Sequence, residues 1–218
     1  MTMNPIAKRT ISALTTAALV VLAIIYAPTS WIRPVFAVVI ALVFFEFCLL
    51  LKRRLGGLKL LLGALIGLAV LCLLGALPAI AVECGNLMML YIIAIIKISD
   101  MGGFAAGVST AKLMTGGNHK MCPTISPNKS WEGLAGSVAA SCILSCCFMP
   151  ITHFVWYKAL AFGVTAARVG TFGDLVESKF KRWVGVKDSS TFMPAGMGGL
   201  LDMFDSLLFA PAVLLPFI

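Results

Sequence analysis

Three aspartates near the carboxyl end of the chain have the residue type and spacing of a cation site. Asp202 and Asp205 lie three positions apart at the head of the last apolar run, and on a helix that spacing puts both side chains on one face. Asp174 follows the preceding apolar run. A carboxylate at bilayer depth is costly unless it is paired, hydrated or bound to metal. We therefore predict that these three acids hold a divalent cation.

The residues after Asp174 combine acidic, basic and hydroxyl groups. Asp174 and Glu177 are three positions apart, and so are Ser178 and Lys181. One helix could therefore present acids to a metal while Lys181 and Arg182 reach phosphate groups. Magnesium prefers a few carboxylate oxygens together with waters and phosphate oxygens. The alternative is a juxtamembrane basic patch on anionic lipid headgroups, which explains the basic residues but not the acids beside them.

A loop before the fifth apolar run offers groups that suit an anion. Its two prolines favour an extended, stiff backbone. Ser126, Lys129 and Ser130 would then present hydroxyls and an ammonium group at a helix N-terminus, whose free amides attract anions. Phosphate is the expected ligand. An ordinary capped helix start with Glu132 in its first turn would use some of the same residues.

Two other apolar stretches contain ionisable residues. Lys97 and Asp100 are three positions apart and could neutralise each other. Alternatively, Asp100 faces a polar cavity, where Gly102 and Gly103 allow substrate or backbone to approach closely. Glu46 stands among phenylalanines near the end of its span. It could extend toward the interface or pair with the basic cluster that follows, and a substrate role is the other interpretation.

The composition indicates which elements must position these groups. Hydrophobic residues make up 60% of the 218-residue chain and charged residues only 12%, which is typical of a membrane protein rather than of soluble domains. A helix needs about 20 apolar residues to cross the hydrocarbon core of a bilayer. That length predicts an all-α, polytopic transmembrane helix bundle with about seven spans. The predicted spans are 10–27, 34–51, 59–82, 86–107, 133–152, 154–173 and 198–218.

The distribution of basic residues predicts the orientation. With the N-terminus in the cytoplasm, most Lys and Arg residues fall on the cytoplasmic side, as the positive-inside rule requires. The net charge of +8 then reflects topology and no nucleic-acid partner, because the basic residues form short clusters between apolar runs. Two polar connections, 108–132 and 174–197, would face the cytoplasm and could share one site. We divide the chain into N-terminal spans, 1–85, and a catalytic transmembrane part, 86–218.

Taken together, these motifs resemble those of the phosphatidate cytidylyltransferases, also called CDP-diacylglycerol synthases. The likeness covers about residues 97–207, and five motifs occur in the family's order and approximate spacing. The motifs are Asp100-x-Gly102, Ser126-Pro127-x-Lys129-Ser130-Trp131-Glu132-Gly133, Gly173-Asp174-x-x-Glu177-Ser178-x-x-Lys181-Arg182, Lys187-Asp188 and Gly198-Gly199-x-x-Asp202-x-x-Asp205-Ser206.

The resemblance implies a magnesium-dependent membrane enzyme that joins phosphatidic acid to CTP and forms CDP-diacylglycerol and pyrophosphate. It implies a site on the cytoplasmic face of a bacterial inner membrane, in contact with membrane lipids, and leaves a second cation and a homodimer open. The implied metal ligands are Asp174, Asp202 and Asp205, and the implied catalytic residues are these three with Lys181. The implied substrate-binding residues are Asp100, Ser126, Lys129, Ser130, Glu177, Ser178, Arg182, Lys187 and Asp188.

The chain departs from the family pattern at two polar positions. The family's last motif usually reads Pro-Gly-His-Gly-Gly followed by Asp-Arg-x-Asp, whereas Met197 and Met203 occupy the histidine and arginine positions here. A thioether cannot donate a hydrogen bond to phosphate or transfer a proton. Either His119 or Arg168 compensates, or the substrate or activity has changed. The alternatives are a homologue that binds lipid or nucleotide without catalysis, and a small transporter whose ionisable residues line a path through the bundle.

Overall fold

The chain forms a bundle of helices with one small hairpin. The computed structural model describes residues 21–187, 189 and 199–218, and a helical stretch at 21–26 precedes the first complete helix. The helices are α1 (Thr29–Lys52), α2 (Gly57–Cys72), α3 (Ala76–Cys84), α4 (Asn86–Leu113), α5 (Trp131–Cys147), α6 (Met149–Thr152), α7 (Trp156–Val184), α8 (Leu200–Phe204) and α9 (Ala210–Leu214). Single 3₁₀ turns are Leu73–Gly75 and Leu215–Phe217, and the antiparallel strands are β1 (Lys120–Cys122) and β2 (Ser126–Ser130).

Four stretches of the described chain are long and apolar enough to cross a membrane. Each contains at least 24 residues, which at 1.5 Å per residue exceeds the hydrocarbon core of about 30 Å. The predicted all-α membrane bundle is therefore confirmed. The predicted span 10–27 lies mostly outside the described residues, so the count of about seven spans and the cytoplasmic N-terminus stay predictions. The four stretches are Thr29–Lys52, Gly57–Cys84, Asn86–Leu113 and Trp156–Val184.

The last apolar run does not form the continuous helix predicted over 198–218. Its described part consists of α8, turns at 205–209, and α9. Proline at positions 211 and 216 cannot donate the backbone bond of a regular helix. The carboxylate of Asp205 also accepts a hydrogen bond from its neighbour's amide, Ser206 N, at 2.6 Å, and such local bonds compete with helix formation. The break turns Asp205 toward α7.

The two polar connections are shorter than predicted, because α4 and α7 continue into them. α4 ends at Leu113 and α7 at Val184, so 108–113 and 174–184 are helical rather than loop. Gly185 then ends α7 in the left-handed conformation, with φ of 86°, which glycine adopts at low cost. The β1–β2 hairpin occupies part of the first connection, where only a loop was predicted.

Small residues bring α4 and α5 into close contact. A Cβ atom added to Gly102 would meet the Ala140 side chain and, at 2.9 Å, the carbonyl oxygen of Gly136. One added to Gly103 would meet the Ser137 hydroxyl. Larger side chains would therefore force the helices apart. This confirms the interpretation that the glycine pair permits close approach of backbone.

An aromatic cluster fixes α4 against α7, the helices that carry Asp100 and Asp174. The ring of Tyr91 stacks on Phe148 and on Phe162, with centroid distances of 5.3 and 5.2 Å. The hydroxyl group of Tyr91 forms a hydrogen bond of 2.7 Å with Ser145, so its only polar atom is satisfied. Offset aromatic pairs of this kind add to the apolar area that they bury.

Candidate active site

A cavity of about 290 Å³ lies between α4, the hairpin, α5 and α7. Five of the predicted site residues line it, namely Asp100, Ser126, Lys129, Ser130 and Asp174. The close α4–α5 crossing and the start of α7's polar half bring these sequence-distant groups together. The other lining residues are Gly103, Phe104, Met121, Asn128, Gly133, Leu134, Ser137 and Thr171.

Lys129 and Asp174 form an ion pair at the cavity wall. The ammonium nitrogen lies 2.5 Å from Asp174 Oδ2, and the two side chains are 19% and 30% exposed. Lys129 also donates a hydrogen bond of 3.2 Å to the carbonyl oxygen of Thr171. β2 thus holds its ammonium group against α7, one helical turn before the acid. The pair is partly shielded from water, which strengthens its electrostatic interaction.

Three carboxylates converge beside this pair. One oxygen each of Asp174, Glu177 and Asp205 lies within 4.8 Å of the others. Gly173 makes the approach possible, since a Cβ atom there would lie 2.5 Å from the carbonyl oxygen of Asp205. Burial, followed by the neighbouring Asp174 charge, raises the pKa of Asp205 to about 7. The arrangement offers hard oxygen ligands of the kind that divalent cations prefer.

Asp202, the third predicted metal ligand, lies outside this group of carboxylates. Its oxygens accept hydrogen bonds from Lys181 at 2.9 Å, from the Ser189 amide at 3.1 Å and from the Gly199 amide at 2.9 Å. Burial disfavours its charged form, but contacts with Glu177, with both amides and with Lys181 outweigh burial and lower the pKa of Asp202. Asp202 therefore connects the α8 segment to α7 through Lys181, and its metal role stays a prediction.

In the hairpin motif, Ser130 caps α5 as well as lining the cavity. Ser130 is 3% exposed, and its Oγ accepts a hydrogen bond of 3.1 Å from Gly133 N in the first turn of α5. It also accepts one of 3.3 Å from Asn118 Nδ2. The interpretation as an ordinary helix cap is therefore confirmed for Ser130. Ser126 and Lys129 keep side chains at the cavity wall.

Lys97 and Asp100 fit both of the interpretations that the sequence allowed. Their charged atoms are 3.9 Å apart, and Asp100 also lines the cavity. Lys97 has further partners, because its ammonium group donates to the Met203 carbonyl oxygen and to Ser206 Oγ, both at 3.0 Å. α4 thereby contacts α8 and the turn that follows it, on either side of Asp205.

The remaining predicted residues lie away from the cavity wall or outside the described chain. Arg182 is exposed and donates to the carbonyl oxygens of Ile125 and Val186 at 3.5 and 3.4 Å. His119, a candidate replacement for the missing histidine, forms a 2.6 Å contact with Glu132 and is 75% exposed. Three further described residues do not line the cavity, namely Arg168, Ser178 and Lys187. Asp188 and Met197 lie outside the described residues.

Glu46, for which a substrate role was only the second interpretation, contacts the helix α8 that contains Asp202. It is 0% exposed, which contradicts the alternative that its carboxylate extends to the interface; pairing with the basic cluster stays a prediction. Its Oε2 accepts a hydrogen bond of 2.8 Å from the backbone amide of Leu201. Its position among phenylalanines is the signal that could have indicated a buried acid, but no local pattern identifies a partner in α8.

Comparison with known proteins gives concordant results. The model of the cytidylyltransferase family matches residues 3–218. A phosphatidate cytidylyltransferase of Staphylococcus aureus (strain COL) is 42% identical over 123 residues, which are 56% of this chain and 45% of that protein. One of Mycobacterium bovis is 43% identical over 125 residues, 56% of this chain and 36% of that protein. The chain thus spans less than half the length of these curated relatives.

Proposed function

The chain belongs to the cytidylyltransferase family, and from that premise we propose that it transfers the cytidylyl group of CTP to phosphatidic acid. The products are CDP-diacylglycerol and pyrophosphate, in phospholipid biosynthesis. The relatives named phosphatidate cytidylyltransferase support this proposal. The match covers less than half of each of them, so we propose, for this chain, both the full activity and the two substrates.

The ion pair of Lys129 and Asp174 at the cavity wall is the observation that carries the proposal. Both proposed substrates carry phosphate groups, so bringing them together costs electrostatic repulsion. Lys129 offers a positive charge that is only 19% exposed, where its attraction for phosphate exceeds that of a fully hydrated ammonium group. The carboxylates of Glu177 and Asp205, which lie close to Asp174, offer ligands for a cation. A site of this composition suits two phosphorylated reactants.

The donor atoms present fit a divalent cation. Three carboxylates within 4.8 Å of one another repel each other unless a cation or a proton intervenes. We propose that Asp174, Glu177 and Asp205 hold Mg²⁺, whose bound charge neutralises the phosphates and the departing pyrophosphate. Asp202 supports this site through Lys181, which also lies 2.8 Å from Glu177.

The reaction asks the chain mainly for positioning. An oxygen of the lipid phosphate attacks the α-phosphorus of CTP, and the bond from that phosphorus to the pyrophosphate oxygen breaks. The substrates supply nucleophile and leaving group, so catalysis depends on alignment and charge compensation. Lys129 contacts a phosphate group in the cavity, and the Ser126 hydroxyl offers a hydrogen bond from the same wall. Asp174 keeps the Lys129 ammonium group in place before substrate arrives.

We propose that the cavity opens at the cytoplasmic face of a bacterial inner membrane, where CTP is available. The ends of α1 and α7 support this orientation because both carry basic residues and they lie together. Arg54 stacks over the ring of Trp183 at 5.3 Å. Clusters of basic residues beside spans are typical of cytoplasmic ends.

The test is an assay of the purified full chain in lipid or detergent with radiolabelled CTP and phosphatidic acid. We expect labelled CDP-diacylglycerol with Mg²⁺ and none with EDTA. Asp205→Asn should reduce turnover by about 100-fold or more, since it removes one carboxylate from the proposed cation site. Glu83→Gln is the matched control, because Glu83 is an exposed acid at the end of α3, and it should leave turnover unchanged.

Other outcomes identify the alternatives. Binding of CTP or phosphatidic acid without any product would identify a homologue that has lost catalysis. Uptake of a labelled solute by vesicles that contain the chain, without product, would identify a transporter. Equal turnover of Asp205→Asn and the unaltered chain would remove Asp205 from the site while leaving the activity in place.

A further inference from the structure

Glu46 is a buried acid that the proposed reaction does not use. It lies in α1 and is 0% exposed, and the residues around it in sequence are mainly phenylalanines. Burying a carboxyl group costs free energy unless hydrogen bonds compensate for the loss of water. Its presence in an apolar helix therefore points to a specific partner inside the bundle.

The partner is the backbone that leads into the aspartate motif. Oε2 of Glu46 accepts a hydrogen bond of 2.8 Å from the amide of Leu201. Its other oxygen lies so close to Gly199 that a Cβ atom at that position would overlap it, as well as the Ser189 hydroxyl. Because Gly199 has no side chain, the Glu46 carboxyl group can approach the backbone at this position. The contact thus depends on the Glu46 carboxyl group of α1 and on the missing side chain at Gly199, next to the start of α8.

The next residues in the chain belong to the proposed site. Asp202 follows Leu201 directly and holds Lys181 at 2.9 Å, and Asp205 joins the three-carboxylate group after one more turn. Lys97 contacts the same segment at its far end, through the Met203 carbonyl oxygen at 3.0 Å. The position of α8 therefore depends on polar side chains that reach it from α1 and α4.

We propose that Glu46 is a positioning residue of the reaction: it fixes the start of α8 and thereby the placement of Asp202 and Asp205. It acts through those two residues and touches neither substrate. This inference rests on the proposed function for its kinetic consequence, whereas the contact with Leu201 can be measured without any turnover. Misplacement of reacting groups by about 1 Å can reduce turnover by about 100-fold, so a lost contact in α1 should be visible in the rate.

The test compares three variants of the full chain. Glu46→Gln keeps a carbonyl oxygen that can accept the Leu201 amide, while Glu46→Leu removes the acceptor and keeps similar bulk. Val43→Ala is the control for stability, because Val43 is also 0% exposed in α1 and its truncation removes packing but no hydrogen bond. Each variant is assayed for kcat and for the KM of CTP and of phosphatidic acid. Thermal unfolding in detergent and amide hydrogen exchange over 199–206 are measured in parallel.

We expect Glu46→Leu to reduce kcat by about tenfold to 100-fold with little change in either KM. Exchange over 199–206 should become faster, since the start of α8 loses its partner. Glu46→Gln should restore most of kcat and of the protection. Val43→Ala should lower the unfolding temperature without either effect.

Three results would overturn the inference. The first is an unchanged kcat and unchanged exchange in Glu46→Leu. The second is a loss of kcat that follows the loss of unfolding temperature equally in Val43→Ala and Glu46→Leu. The third is a Gln variant as impaired as the Leu variant, because an acceptor alone would then not suffice. If the unaltered chain forms no CDP-diacylglycerol, the proposed function fails. Unchanged exchange in Glu46→Leu would show separately that Glu46 does not fix the segment.

Discussion

Two lysines contact acids of α7, and they do so in different surroundings. Lys129 reaches Asp174 from the hairpin at the cavity wall, where both side chains retain some exposure, 19% and 30%. Lys181 lies between Glu177 and Asp202, whose side chains are 1% and 17% exposed. A ligand can compete for the first lysine, whereas two carboxylates already surround the second. We therefore expect Lys129 to act on substrate and Lys181 to hold α8 against α7.

The largest effect is expected from Lys181→Met, which would break the more buried of the two arrangements. Removing one partner of a buried ion pair costs about 3 kcal/mol or more, because the remaining charges lose their compensation. Stability and turnover should therefore fall together, as measured by thermal unfolding in detergent and by the CDP-diacylglycerol assay. Lys179→Met, at an exposed position of the same helix, is the matched control. Full stability with lost turnover would show that Lys181 acts on substrate after all.

Lys129→Met should give a different pattern, in which turnover falls and stability is kept. We expect turnover to fall about 100-fold, since a preorganised charge that stabilises the reaction is lost. The unfolding temperature should change little, because this pair retains contact with water. Lys120→Met, at an exposed position in β1, serves as the control within the hairpin. A large loss of stability with proportionate loss of turnover would make the two lysines equivalent and remove the distinction.

The contrast also explains which parts of the site the sequence could predict. The helical membrane bundle and the chemical character of Asp174 and Lys129 follow from composition and local spacing, because apolar length and residue type are local properties. The i, i+3 spacing of Asp202 and Asp205 suggested one shared face. In the structure α8 ends between them, so Asp205 joins the carboxylate group while Asp202 contacts Lys181.

Contacts between distant parts of the chain were beyond prediction. The Glu46 contact with Leu201 joins residues 155 positions apart, and periodicity carries no information about such a pair. The connection 174–197 was predicted as a cytoplasmic loop because charged residues ended the apolar run, although the i, i+3 spacings after Asp174 also allowed a helix. The structure has the helix as far as Val184. The partners that its charged residues contact from the hairpin and α8 are distant in sequence, and no local pattern identifies them.

Gly173→Ala tests whether the proposed cation site requires the close approach of the turn after α8 to Asp174. An added Cβ atom would lie 2.5 Å from the carbonyl oxygen of Asp205, so the turn must move away from Asp174. We expect turnover to fall about tenfold from this displacement, with a higher Mg²⁺ concentration needed for half-maximal rate. Gly75→Ala is the control, because a Cβ atom there meets no neighbour within 4 Å. An unchanged Mg²⁺ requirement would show that Asp205 tolerates the displacement.

Ser130 should give the smallest effect, because its hydroxyl caps α5 although it lies next to Lys129 in the chain. Ser130→Ala removes the acceptor for Gly133 N and should cost about 1 kcal/mol of stability. Ser130→Asn retains an acceptor of the kind found at helix starts and should recover most of that loss. Both variants are compared in thermal unfolding and in the CTP dependence of turnover. If both variants raised the KM for CTP while unfolding normally, Ser130 would bind substrate directly. Its hydroxyl would then share the role of substrate contact with the Lys129 ammonium group, in addition to capping α5.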